Sequence, residues 1–188
     1  MPLNQKTIFD HIKLCRCLGK VAASIFKLCK WSIQGTKPDY EQSVVVAAPH
    51  TSNWDFAITL GMALKLGIKV RWLGKQSLFK WGLGPLMRWL GGIPVDRAKS
   101  SGLVEQVASY FKAGGQFSLV VSPEGTRSKT KQWKTGFYYI ARYANVPINL
   151  AFIDHKNRIV GFASDFQLTT DPDMDLKKIK EFYQRYLN

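Results

Sequence analysis

The sequence predicts an α/β fold: one domain with a mixed, largely covered sheet flanked by helices, plus an N-terminal amphipathic helical element. Three observations carry that prediction. Short apolar runs of strand length alternate with helix-length segments, the pattern that builds βαβ units. Several of the short runs are apolar throughout, as strands covered on both faces are. The chain has 188 residues and 46% hydrophobic content, enough for one domain with a full core and against disorder.

Residues 7–33 read as one helix. At about 100° per residue, Lys13, Arg16, Lys20, Lys27 and Lys30 fall on one side. Leu14, Leu18, Val21, Ala22, Ile25, Phe26, Cys29 and Ile33 fall on the other. Gly35-Thr36-Lys37-Pro38-Asp39 breaks the pattern. The break is expected to be a hinge between the helical element, residues 1–40, and the α/β domain, residues 41–188. Ser43–Ala48 is a Val-rich strand ended by Pro49, and Asn53–Leu66 is a helix closed by Gly67. Lys69–Leu73 is strand-like. Ser77–Leu90 mixes apolar and basic residues and is helical in pieces, because Gly82, Gly84 and Pro85 interrupt it. Ile93–Val95 is a short strand, and Leu103–Ala113 is an amphipathic helix stopped by Gly114-Gly115. Phe117–Val121 is a buried-type strand, Gly136–Asn145 a helix, Ile148–Ile153 and Arg158–Phe162 strands, and Met174–Leu187 a closing helix. There are no internal repeats and no low-complexity segment.

Composition bounds the function. The chain carries 27 Lys+Arg and 13 Asp+Glu, a net charge of +14, with a pI near 9.8. That balance calls for a polyanionic partner: nucleic acid, an anionic membrane or a phosphorylated substrate. No nucleic-acid motif is present and the aromatics lie in apolar context, so nucleic acid is not expected. No uncharged apolar run approaches the ~18 residues of a transmembrane helix. Nor does the N-terminus carry a compact apolar core with a small-residue cleavage site, so no secretory signal is expected. Cys15, Cys17 and Cys29 are odd in number and clustered, which points to a reducing cytosol rather than a disulfide framework. No His or Cys follows them at metal-ligand spacing, so no metal is expected, and they read as small apolar residues of a helix. The basic amphipathic helix is a membrane-surface signature. The same pattern also fits a helix packed on the domain with its lysines in solvent.

Three segments carry candidate chemistry. In Ala48-Pro49-His50-Thr51-Ser52-Asn53-Trp54-Asp55, His50 follows a buried-type strand at a strand-to-helix turn, where α/β proteins keep their sites. Thr51, Ser52 and Asn53 are helix N-cap candidates. Residues five apart diverge by roughly 140° on a helix. His50 and Asp55 can therefore meet only if His50 lies in the turn and Asp55 in the first helical turn. A carboxylate on the imidazole would then fix its tautomer and stabilise the imidazolium, making His50 a general base. The pair reads equally as a capping His beside a helix-dipole Asp. In Val121-Ser122-Pro123-Glu124-Gly125-Thr126-Arg127, Gly125 permits an unusual backbone conformation or a close ligand approach, and Arg127 offers a planar fork for phosphate. A basic surface turn fits the same residues. In Gly91-Gly92-Ile93-Pro94-Val95-Asp96-Arg97, Arg97 is a second candidate phosphate ligand, beside Asp96.

Taken in order, His-x4-Asp, Gly-x-Ile-Pro-Val-Asp-Arg, Pro-Glu-Gly-Thr-Arg-Ser and Val146-Pro147-Ile148 resemble the four blocks of the glycerophospholipid acyltransferase family. That family includes the 1-acyl-sn-glycerol-3-phosphate (lysophosphatidate) acyltransferases. The resemblance spans about residues 44–153, and the Lys75–Lys80 stretch resembles the family's segment between the first two blocks. It implies transfer of a fatty acyl chain from acyl-CoA or acyl carrier protein to the hydroxyl of a lysophospholipid in phospholipid biosynthesis. The acceptor it points to first is 1-acyl-sn-glycerol-3-phosphate. By resemblance His50 is the base and Asp55 its orienting partner. Arg97 and Arg127 hold the acceptor phosphate, Glu124, Gly125 and Thr126 shape that pocket, and Lys75 adds charge to it. No metal or redox cofactor is implied. A lipid acceptor places the enzyme at an anionic membrane surface, as a peripheral or monotopic protein on the cytoplasmic face. Trp72, Trp81 and Trp89, interleaved with Arg71, Lys80 and Arg88, suit such an interface, although core packing competes for the same rings. Two features depart from the family: little chain follows the fourth block, and Pro49 stands where many members have a small polar residue. Another lyso-lipid acceptor, or a non-catalytic membrane-binding protein, are the alternatives.

Overall fold

A computed structural model of the chain describes residues 5–80, 82–96, 102–125 and 133–186. Its strands are β1 (Ser32–Gln34), β2 (Gln42–Ala48), β3 (Val70–Lys75), β4 (Gly92–Val95), β5 (Phe117–Val121), β6 (Ile148–Asp154) and β7 (Ile159–Phe166). Its helices are α1 (Ile12–Leu28), α2 (Asn53–Leu66), α3 (Gly84–Trp89), α4 (Leu103–Lys112), α5 (Gly136–Ala144) and α6 (Pro172–Gln184). The strands form one sheet in the order β1-β7-β6-β2-β5-β3-β4. From β6 through β2, β5 and β3 to β4 the strands are parallel, so their carboxyl ends share one edge. β7 returns antiparallel to β6, and β1 runs parallel to β7. The expected mixed α/β sheet is present.

β2 shows why its run is apolar throughout. Successive side chains of a strand point to opposite faces. Val44, Val46 and Ala48 enter one core with Phe111 of α4, Phe137 of α5 and Ile179 of α6. Val45 enters the other, with Phe26 of α1 and Met62 of α2. Helices cover both faces, so residues 43–46 and Ala48 are buried and Gln42 and Ala47 half-buried. The far core is pinned by polar contacts from α6. The Tyr183 hydroxyl lies 2.7 Å from the Val46 carbonyl and 3.0 Å from the Ala151 carbonyl. Buried Asp175 accepts from the Tyr138 hydroxyl at 3.0 Å, linking α6 to α5.

The N-terminal segment differs from the single helix expected over 7–33. A 3₁₀ turn at Ile8–Asp10 precedes α1, and α1 stops at Leu28. Lys30 then adopts a left-handed conformation, with φ 58. Ser32–Gln34, with Ile33 in its middle, pairs with β7. Periodicity does not register this stop, because the chain turns to satisfy a strand partner more than a hundred residues away. α1 is also three-sided rather than two-sided. Cys15, Gly19 and Phe26 are buried. A Cβ on Gly19 would stand 2.6 Å from the Leu64 carbonyl oxygen, so the absent side chain lets α1 lie directly on α2. Leu14, Val21, Ile25 and Leu28 are exposed, within an arc of about 60°. Lys13, Arg16, Lys20 and Lys27 form a third stripe, about 120° from both others.

Core packing claims two of the three tryptophans weighed for the interface. Trp72 is partly buried, packed against Phe56 and Phe79, and donates its indole N–H to the Leu90 carbonyl at 3.0 Å. Trp89 packs on the core under α2. Arg71, expected beside them at an interface, is buried and donates to the Gln5 carbonyl at 3.0 Å. Trp81 lies outside the described residues. Among the described residues, the exposed indole is that of Trp54, at 74%.

Candidate active site

The shared carboxyl edge of the parallel strands gathers the motif segments. His50 follows β2, Lys75 ends β3, Asp96 follows β4 and Glu124 follows β5. In-register pairing brings neighbours together: Val46 stands beside Val121, and Lys75 beside Val95. Segments scattered over some eighty positions therefore face one region because parallel strands end together.

The His50 turn is built by capping. Ser52 is the N-cap of α2, and its hydroxyl accepts from the Trp54 N–H at 3.2 Å. Asp55, in the first helical turn, reaches back to accept from the Thr51 and Ser52 N–H groups at 2.6 and 2.7 Å through Oδ2. The same Oδ2 lies 3.5 Å from Nδ1 of His50. This is the arrangement the five-residue spacing required, with the histidine in the turn and the acid in the helix. The oxygen of Asp55 that takes the Thr51 and Ser52 amides is thus also the one that faces His50. Asp55 is 1% exposed and the His50 side chain 29%. A buried carboxylate is tolerable here because three donors and the helix N-terminus face it. His50, by contrast, is open enough to meet a substrate.

Glu124 closes the turn from the β5 side. It is buried, and its Oε2 accepts from the His50 backbone N–H at 2.7 Å. Burial pushes its carboxyl above the usual range; the His50 amide opposes this and the nearby Asp55 charge reinforces it. The Glu-Gly block thus braces His50 through its backbone, a link that reading the two segments separately did not reveal. Gly125 has φ 63, the left-handed region that favours glycine, and a Cβ there would stand 3.0 Å from the Lys134 side chain. Lys75 is exposed at the end of β3. Arg97, Thr126 and Arg127 lie outside the described residues.

Two residues at this edge were not singled out by sequence reasoning. Trp54 stands on the first turn of α2, between the cap and Asp55. His155 sits in the turn after β6, with Nε2 2.8 Å from Oδ1 of Asp55. Trp54 lay inside the motif and its exposure was the missing fact. His155 is 100 positions from Asp55, and no local pattern connects them.

A parallel sheet that carries, at its carboxyl edge, a histidine facing a buried, capping aspartate has the layout of an α/β enzyme site. Residues 30–149 match the acyltransferase family, and the chain belongs to it. It is an acyltransferase. The fold is shared with the 1-acyl-sn-glycerophosphate (LPA) acyltransferase PlsC from Thermotoga maritima, at TM-score 0.66 and 18% identity over 93% of this chain and 78% of that one. No curated protein matches the chain in sequence.

Proposed function

We propose that the protein transfers a fatty acyl chain from acyl-CoA or acyl carrier protein to the hydroxyl of a lysophospholipid, with 1-acyl-sn-glycerol-3-phosphate as acceptor. The observation that carries the reading is the contact between His50 and Asp55 at the carboxyl edge, 3.5 Å in the free protein. Catalytic hydrogen bonds are often long before substrate binds and tighten in the complex. With Nδ1 directed at Asp55, Nε2 takes the proton of the acceptor hydroxyl. The oxygen attacks the thioester carbonyl, the C–O bond forms and the C–S bond breaks. The proton held on His50 then passes to the departing thiolate. Asp55 stabilises the imidazolium meanwhile without taking the proton. Much of the remaining acceleration comes from holding donor and acceptor together. Arg97 and Arg127 hold the acceptor phosphate, with Lys75 adding charge. Glu124, Gly125 and Thr126 shape the pocket wall, Glu124 acting through its hold on the His50 backbone. No cofactor is required by this chemistry.

The reading places the enzyme on the cytoplasmic face of an anionic membrane. Among the described residues no helix is long and apolar enough to cross one. The outward stripe Leu14, Val21, Ile25 and Leu28, flanked by the stripe Lys13, Arg16, Lys20 and Lys27, fits a helix lying in the headgroup region. Each cation near such a surface contributes about 1 kcal/mol. Thiol release from a panel of acyl thioesters, each paired with several lyso-lipids, tests the activity and names both substrates. H50A should lower turnover by about 10²–10⁴-fold with the protein still folded. Full turnover in that variant overturns the mechanism.

A further inference from the structure

The second histidine on Asp55 has no part in the chemistry above. Oδ2 of Asp55 takes the Thr51 and Ser52 amides and faces His50, while Oδ1 meets Nε2 of His155 at 2.8 Å. An ionised carboxylate only accepts, so Nε2 of His155 carries the proton and donates. The ring is set rather than loose. It stands edge-on to Trp31 at 5.6 Å and 89°, and the Trp31 backbone N–H donates to the Phe26 carbonyl at 2.7 Å. The turn that bears His155 is closed by Asn157, whose backbone and side-chain nitrogens donate to Asp154 at 2.9 and 2.7 Å. Arg158 ties the same turn to the Cys29 carbonyl at 3.0 Å. This donor, itself 42% exposed, lies 2.8 Å from a carboxylate that is 1% exposed and so limits the carboxylate's rotation.

We propose that His155 is a positioning residue for the dyad: its N–H on Oδ1 keeps Oδ2 turned toward His50 and draws off part of the negative charge that Asp55 presents to it. The proposal rests on the assignment of His50 as base and Asp55 as its partner. Its sign is fixed. Without the donor, more charge remains on Oδ2, the His50 imidazolium is better stabilised, and His50 titrates at higher pH. If His155 itself carries a charge at the acid end, removing it moves His50 the same way. Among the described residues, the other ionisable groups near the two rings include Glu124 across the turn, Lys30 beside Trp31, and Asp154, Lys156 and Arg158 of the hairpin. All of them are retained in the variants.

The chain has 3 histidines, so ring ¹⁵N titration by NMR resolves each in the full-length protein, with H50A supplying the assignment. H155F keeps a ring against Trp31 but removes the donor, and H155Q restores an N–H near the position of Nε2. The expected result is a His50 midpoint about 0.5 pH unit higher in H155F, returning close to wild type in H155Q. In steady-state assays kcat should fall about tenfold in H155F with KM for both substrates within about twofold, the acid limb of the profile should move up, and H155Q should recover most of the loss. A His50 midpoint unmoved in H155F, or H155Q no better than H155F, overturns the proposal. The titration does not depend on turnover. A shifted midpoint in a protein that moves no acyl group from any thioester would leave the positioning role standing and remove the acyltransfer mechanism instead.

Discussion

Helices α1 and α4 carry comparable amphipathic patterns and end in opposite situations. In α4, Val107, Ala108 and Phe111 are buried, Leu103 and Val104 pack against them, and no large apolar side chain is exposed. In α1 the buried contact is made by small residues and one ring, Cys15, Gly19 and Phe26, while Leu14, Val21, Ile25 and Leu28 face outward. The same binary pattern therefore serves two ends. A helix that closes a core spends its apolar stripe on the sheet. A helix that docks through small residues keeps a second apolar stripe available. That difference separates the face that holds the fold together from the exposed face that the proposed function offers to lipid.

The comparison can be broken or sharpened by substitution. F111A in α4 should destabilise the protein by about 3–5 kcal/mol in denaturant unfolding, because the cavity lies in the main core. Replacing Leu14, Val21, Ile25 and Leu28 together with Gln should leave unfolding within about 0.5 kcal/mol per site. Flotation on anionic vesicles should weaken by about a hundredfold, since each buried methylene contributes about 0.8 kcal/mol. A large stability loss in that variant, with unchanged flotation, would mean that α1 differs from α4 only in degree. G19A probes the inner face and should cost about 1–3 kcal/mol, because the added methyl meets backbone rather than a movable side chain. The smallest effect concerns the anchor before α1. Burial pushes the Asp10 carboxyl up, but the Thr7 amide and Lys69, 3.1 Å away, outweigh it and hold it below its usual range. A depressed carboxyl stabilises the fold above its unfolded value of about 3.9 and loses that contribution as pH falls through the folded value. D10N should thus lower Tm slightly at pH 7 and not at all near pH 2, as read by calorimetry. A D10N deficit that persists at the acid end would assign the anchor to packing rather than charge.

Much of the site was legible because it is local. The spacing of His50 and Asp55 already demanded a turn followed by a first helical turn, and Ser52 supplied the cap that makes one. The strand runs were legible because covered strands show no polar alternation. Two kinds of information were not. One is the end of α1, where Ile33 continues a helical pattern yet lies in a strand paired with β7. The other is what lies across the edge from Asp55. The Glu124 bond to the His50 amide and the His155 bond to Asp55 join residues 74 and 100 positions apart.

The sequence by itself determined the α/β class, the order of the motif blocks and the turn that sets His50 beside Asp55. Each depends on neighbours within a turn or two, where backbone geometry leaves few choices. Only the tertiary structure decided which apolar stripe of α1 is buried, that Trp72 and Arg71 turn inward, and that Asp55 is held from both sides. Those outcomes depend on which strands lie side by side, and parallel strands bring together residues that the chain keeps far apart.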